Sequence, residues 1–183
     1  MDQRQFWRHS LAVAILSKIV GKKLLKVKKD QENAYLAGLM HDMGMLVFCF
    51  LVPEEYAEFL KTVPALDGTL PQMELAKFGI DHHELGGLFI SKYWHLDPAI
   101  VQAVKECNSD SLNTATPTCS LAVTFADSLV NDAGIIVGVK TKTLVPVKKD
   151  ALKNMGISSE DLSAMVKEMK NGLESMEMAL NGK

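Results

Sequence analysis

The chain has only three cysteines in 183 residues, no CxxC pair, and no uninterrupted apolar run longer than MLVFCFLV at 45–52. Cys49, Cys107 and Cys119 are odd in number and widely spaced, which argues against a disulfide framework and fits small buried hydrophobes with reduced thiols. A bilayer-spanning helix needs about 20 apolar residues, so that run is too short to supply one. The polar start MDQRQ is not followed by the apolar stretch of a secretory signal. An excess of one charge is missing too. Twenty basic and 22 acidic residues leave a formal charge of −2, so there is no nucleic-acid signal of the kind a strongly basic face gives. Internal repeats and low-complexity tracts are absent. What remains is a chain of 48% hydrophobic content, ample for a core of one domain with a modest appendage, and the expected location is cytoplasmic, with no membrane association.

The punctuation is helical almost throughout. From Gln5 to Val20, Phe6, Leu11, Ala14, Ile15 and Ile19 recur at spacings near three and four, and Gly21 stands where a helix would stop. Asp30 can cap a second helix carrying Tyr35, Leu36, Leu39 and Met40, with Gly44 as its end. Pro53 followed by Glu54 and Glu55 opens a third. After a break from Pro64 to Pro71, a short helix reaches Phe78 and ends at Gly79, and Asp81 with Glu84 reads as a capping box for the next. Asp97-Pro98 and Thr116-Pro117 are two further starts. GIIVGVKTKTLVPV at 134–147 has the β-branched density of strands, with a Gly and Pro content that fits a loop or a short hairpin equally, and from Ser158 onward a Met-rich amphipathic helix carries Met165, Met169 and Met176 on one stripe, read as core or partner contact. The expected fold is an all-α bundle of about seven to nine helices, with residues 1–133 as the helical core and 134–183 as a C-terminal extension.

Three of these helices carry ligand-type side chains among apolar neighbours. His9 lies in the first, His41 and Asp42 close the second, and Asp127 sits in TFADSL. A buried imidazole needs hydrogen-bond partners and a buried carboxylate needs a counter-charge. Asp42 beside a helix C-terminus is badly placed unless a cation compensates it. His82, at a helix start, meets a positive dipole end that should keep its ring neutral. Imidazole nitrogen with carboxylate oxygen suits a divalent cation such as iron, manganese, zinc or magnesium, and no organic cofactor is implied. The side chains are expected to converge within about 5 Å of one point, as ligand bonds near 2 Å require.

The ordered set WRHS at 7–10, GLMHDMG at 38–44 and FAD at 125–127 resembles the HD superfamily of helical metal-dependent phosphohydrolases. More narrowly, ELAKFGIDHHELGGLFISKYWHLDPAIVQAV at 74–104 is similar to the HD-related output domain, HDOD, of bacterial signalling proteins. The resemblance covers about residues 6–131. It implies that His9, His41, Asp42 and Asp127 are the metal ligands, that His82 matches an additional histidine of larger metal sites, and that His83 has no such role and is exposed. Where related HD-GYP phosphodiesterases carry two adjacent histidines, this chain has Cys107-Asn108, which argues against a bi- or trinuclear centre. Family members begin with a helical bundle ahead of the Trp-Arg-His-Ser helix; this chain starts almost on that helix. It is therefore expected to be either part of a longer module or a form without that subdomain; if it is part of a longer module, apolar surface on its first two helices should be exposed or covered by another chain.

Three functions follow. The first is a non-catalytic regulatory module of signal transduction with a mononuclear metal site and protein partners. The second is a metal-dependent phosphohydrolase of a nucleotide or other phosphoester, with Asp42 or Asp127 orienting the attacking water. The third is a metal-free helical interaction domain.

Overall fold

The computed structural model describes residues 1–107, 116, 118–139, 141, 153 and 155–180. Among the described residues there are nine α-helices and no strand. They are α1 (Gln3–Leu24), α2 (Lys28–Met40), α3 (Met43–Leu51), α4 (Pro53–Thr62), α5 (Leu70–Phe78), α6 (His82–Tyr93), α7 (Pro98–Glu106), α8 (Cys119–Asp132) and α9 (Ser159–Leu180), with a short 3-10 turn at Val63–Ala65. Of the two alternatives at 134–147, loop or short hairpin, residues 134–139 run as loop without strand pairing; Lys140 and 142–147 lie outside the described residues.

Most helix starts follow the local chemistry. Pro53 opens α4, Thr69 and Gln72 close a capping box on α5, and the Asp81 carboxylate accepts from the Glu84 N–H at 2.9 Å. Gly79 ends α5 with φ 75°, a conformation that favours glycine. Three boundaries differ from the sequence reading. Helix α1 runs through Gly21 to Leu24, because packing on α2 outweighs the glycine's low helix propensity. Helix α8 starts after Thr118, whose side chain caps the Leu121 N–H, rather than at Thr116-Pro117. The chain between Asp30 and Leu51 is two helices. Met40 ends α2, His41 and Asp42 form the turn, and Gly44 lies in the first turn of α3 instead of ending α2. By length and composition Lys28–Leu51 would suffice to cross a membrane, but half of that stretch is buried inside the protein and the turn divides it.

The core has two parts. One joins α1, α2, α7, α8 and α9 through Val13, Leu16, Ala34, Ala103, Leu121, Phe125 and Met169; the other gathers Phe6, Met45, Phe48, Tyr56, Phe59 and Met73. Each large apolar side chain buried this way contributes about 1.5–3 kcal/mol. The seam between them positions the site. On α1, His9 lies between Phe6 of one cluster and Ala12 of the other, and His41-Asp42 lies between Ala37 and Met45. Helix α9 belongs to the first cluster. Met165 and Met169 are buried there, but the third buried member is Leu173, and Met176 faces outward.

Exposed apolar surface lies in two places. Trp7, Val27 and Leu36 are exposed around the first two helices, but the larger patch is Phe50, Leu51, Leu88, Tyr93 and Trp94 on α3 and α6, which line a groove of about 630 Å³.

Helices α3 and α6 meet backbone to backbone. A Cβ on Gly44 would stand 1.8 Å from the His82 carbonyl oxygen and 2.8 Å from the Gly86 nitrogen. This contact holds the His82 end of α6 against the Asp42 end of α3. Gly44→Ala is therefore expected to cost at least about 1–3 kcal/mol by overpacking, measured by urea denaturation. Gly21→Ala, whose Cβ would meet only ordinary contacts at 3.5 Å or more, should be neutral or stabilising by about 0.5–1 kcal/mol. Equal effects of the two would refute the close-contact account.

Candidate metal centre

His9, His41, Asp42 and Asp127 converge as expected. His9 Nε2 lies 3.3 Å from His41 Nε2, 3.2 Å from Asp127 Oδ1 and 3.6 Å from Asp42 Oδ2. His41 Nε2 lies 3.2 Å from Asp42 Oδ1 and 3.6 Å from Asp127 Oδ1. His82 joins from the side, its Nε2 3.4 Å from Asp42 Oδ1. All five side chains are buried.

The opposite edge of each ring explains why these atoms face inward. A carbonyl oxygen can only accept, so His9 Nδ1 donates to the Ile135 carbonyl at 2.7 Å and His41 Nδ1 donates to the Gly38 carbonyl at 2.8 Å. In the neutral rings this leaves both Nε2 lone pairs pointing at each other across 3.3 Å. His82 Nδ1 is held by Glu74 Oε2 at 2.5 Å, and Glu74 itself accepts from the His82 N–H at 2.9 Å and from Tyr56 Oη at 2.6 Å. On α8, Asn131 Nδ2 donates to Asp127 Oδ1 at 2.8 Å from one turn away. Ligating histidines are oriented in this way by a second hydrogen bond on the far nitrogen.

Charge in the cluster is unbalanced without a proton or a cation. Burial opposes charge on every group. Even so, Asp42 and Asp127 raise the His41 pKa to about 10, and Glu74 and Asp42 raise that of His82 well above the usual histidine range. The expectation that the helix start would keep His82 neutral is thereby corrected: two buried carboxylates outweigh the helix dipole. Burial likewise works against the Asp42 carboxylate, but His41 and His82 hold its pKa well down, and Asp127 is lowered by His41 and His9. Asp42 also occupies the N-cap position of α3, so the poor placement expected at a helix C-terminus is relieved.

Two further expectations are corrected. His83 is buried, not exposed, because the first turn of α6 is pressed onto α3. Burial and the neighbouring His82 lower its pKa to about 4, leaving a neutral ring. Cys107 lies in the first core cluster, and burial, with Asp127 and Asp42 nearby, keeps its thiol protonated, so it is poorly suited to replace a missing ligand. Asn108 lies outside the described residues.

The sequence reading gave no role to Glu74 or Asn131. Glu74 was legible as a lone acid three residues before the Lys77-Phe78-Gly79 stretch, and Asn131 as an amide four residues after Asp127; the carbonyls of Gly38 and Ile135 carry no side-chain signal. Two triads of ligand atoms, His9-His41-Asp42 and Asp42-His82-His83, each fall within 4.8 Å of one another and could hold a cation.

The HDOD domain family profile matches residues 1–109, and the chain belongs to that family. No curated protein sequence is similar to it. Among solved structures, it is similar to an HDOD domain protein of unknown function from Geobacter sulfurreducens, with TM-score 0.71 and 23% identity over 99% of this chain and 63% of that one. It is also similar to the MmoQ response regulator from Methylococcus capsulatus str. Bath, with TM-score 0.68 and 22% identity over 91% of this chain and 62% of that one. A third is a protein of Marinobacter aquaeolei VT8 assigned to signal transduction, with TM-score 0.74 and 17% identity over 97% of this chain and 38% of that one. The chain thus spans 38% to 63% of the length of these structures, and the likeness establishes the fold.

Glu74→Gln is expected to lower the His82 pKa in chelator-treated protein, read by NMR titration of the ring, because a neutral amide replaces the carboxylate that favours its charged form. The same change should cost about 1–3 kcal/mol of stability through the disturbed Tyr56 and His82 hydrogen bonds. A His82 titration unmoved by the substitution would contradict this assignment.

Proposed function

We propose that the chain is a regulatory, non-catalytic HDOD domain in which His9, His41, Asp42 and Asp127 hold one divalent cation as part of the architecture. The facing Nε2 atoms of His9 and His41, both with Nδ1 committed to main-chain carbonyls, carry this reading. Two imidazoles and two carboxylates favour zinc, iron or manganese over magnesium. When bound, such a cation supplies counter-charge to Asp42 and Asp127 and Lewis acidity at the cluster.

The cavity over the cluster supports the non-catalytic half. It measures about 70 Å³ and is lined by Met45, Leu70, Pro71, Val137 and Val139 besides the ligand-type residues, with no lysine or arginine among the described lining. Small-molecule sites commonly run to about 300–1,000 Å³, and among the described residues none of the side chains lining this cavity offers a phosphoester a lysine or arginine. The exposed α3–α6 groove supports an interaction role, since contiguous apolar surface marks protein contacts. Protein partners in a cytoplasmic signalling pathway fit this reading best.

A phosphohydrolase is the second reading, favoured by the retention of all four signature positions within 3.6 Å of at least two others. The test that separates them is metal analysis of chelator-free protein, followed by assays on chromogenic phosphodiesters with added manganese. Stoichiometric metal without turnover is expected. Turnover abolished by Asp42→Ala would establish the hydrolase, and no bound metal would leave a plain interaction domain.

The pH dependence has a definite sign. Without metal, a histidine whose pKa rises from 6.5 to about 10 stabilises the fold fully below 6.5 and ceases to do so as pH rises through about 10. Metal has to displace that proton, so its competition eases over the same range. The rise in Tm caused by zinc should therefore be larger at pH 8 than at pH 6, measured by differential scanning calorimetry. An equal or smaller shift at pH 8 would count against His41 as a ligand.

A further inference from the structure

We propose that the cluster contains a second cation position, formed by Asp42, His82 and His83, beside the one formed by His9, His41, Asp42 and Asp127. It rests on the first position, because Asp42 serves both. The ligand atoms of the three residues lie within 4.8 Å of one another, and all three side chains are at least nine-tenths buried.

His83 carries the argument. Its Nδ1 lies 3.3 Å from the His41 carbonyl oxygen, which can only accept, so in the neutral ring Nε2 bears the lone pair. That Nε2 is buried and has no hydrogen-bond partner. An orphaned ring nitrogen is costly, and a leucine would fill the same space without that cost. Its neighbour is already oriented for ligation: Glu74 holds His82 Nδ1, and His82 Nε2 faces Asp42 Oδ1. Asp42 Oδ1 lies 3.2 Å from His41 Nε2 and 3.4 Å from His82 Nε2, so this one oxygen stands between a ligand of the first position and a ligand of the second, while Oδ2 faces His9.

Two imidazole nitrogens and one carboxylate oxygen suit zinc or another borderline divalent ion, with the remaining coordination open to the cavity that His82 and His83 line. In this chain the extra imidazole comes from the first turn of α6, and the position after α7 carries Cys107 instead. The close Gly44–Gly86 contact brings that turn to Asp42.

The test is ion counting. The full chain is stripped with chelator, reloaded with Zn²⁺ and examined by native mass spectrometry, with circular dichroism as the check on folding. Wild type is expected to hold two ions, His83→Ala and His83→Gln one, and the exposed His95→Ala two. Co²⁺ titration followed by visible absorption should show two increments in wild type and one in His83→Gln. Wild type saturating at one ion, with His83→Gln unchanged, would overturn the second position and leave the first standing. No ion in wild type would overturn both, and a count that falls with His95→Ala would place the second ion on the surface and overturn the proposal. The wild-type count decides the matter even where His83→Ala does not fold.

Discussion

Both Nδ1 protons of His9 and His41 are donated to main-chain carbonyls, and that commitment fixes what the other edge of each ring can do. With the tautomer set by the backbone, neither Nε2 can donate to the other in the neutral state, yet they stand 3.3 Å apart with carboxylates on both sides. Something positive has to lie between them. A proton serves in the metal-free chain, which is why His41 is held charged so far above the ordinary histidine range. The arrangement of the surrounding helices can be understood as the means of holding those two rings in place.

Close backbone contact is that means. Gly38 lets α2 approach α1 until an added Cβ would lie 2.6 Å from Ser17 Oγ and 3.0 Å from the Ala14 Cα, so the residue whose carbonyl anchors His41 is also the one that brings the two helices together. Gly44 and Gly86 do the same for α3 and α6 and deliver His82 to Asp42. Ligand geometry tolerates little error, and contacts that leave no room for a methyl group allow little. The site therefore draws its rigidity from glycines in helices, where their propensity alone would argue against them.

The same physics decides what could be read in advance. His9, His41, Asp42 and Asp127 stood out because ionisable groups on otherwise apolar helix faces need compensation, and the helices themselves were announced by caps and by three-to-four spacing. Glu74 was less visible, since its partners Tyr56 and His82 come from two other elements that only tertiary packing brings together. His83 was misread for a similar reason. A residue at a helix start looks solvated until another helix is laid against that end, and nothing local announces the Gly44–Gly86 contact. The turn at His41-Asp42 was hidden by Gly44, which reads as the end of one helix but serves as the close-packed start of the next.

Charge accounting ties these strands together. Among the described buried residues, Asp42, Glu74 and Asp127 are carboxylates, and no lysine or arginine is buried with them. Tyr56 and Asn131 offer hydrogen bonds but no charge. Among the described residues, positive charge at the cluster then comes from histidine protons or from an ion, and an imidazole that binds an ion gives up the proton it held. Proton and cation would be alternatives at the same atoms, so a cation held as proposed would be coupled to pH through groups that also join α1, α2, α6 and α8. A change of occupancy in such a site is felt as a change in the stability of the fold that connects the helices, including the α3–α6 junction beneath the exposed apolar groove. The regulatory role proposed above would use a link of that kind between an interior site and an outer face.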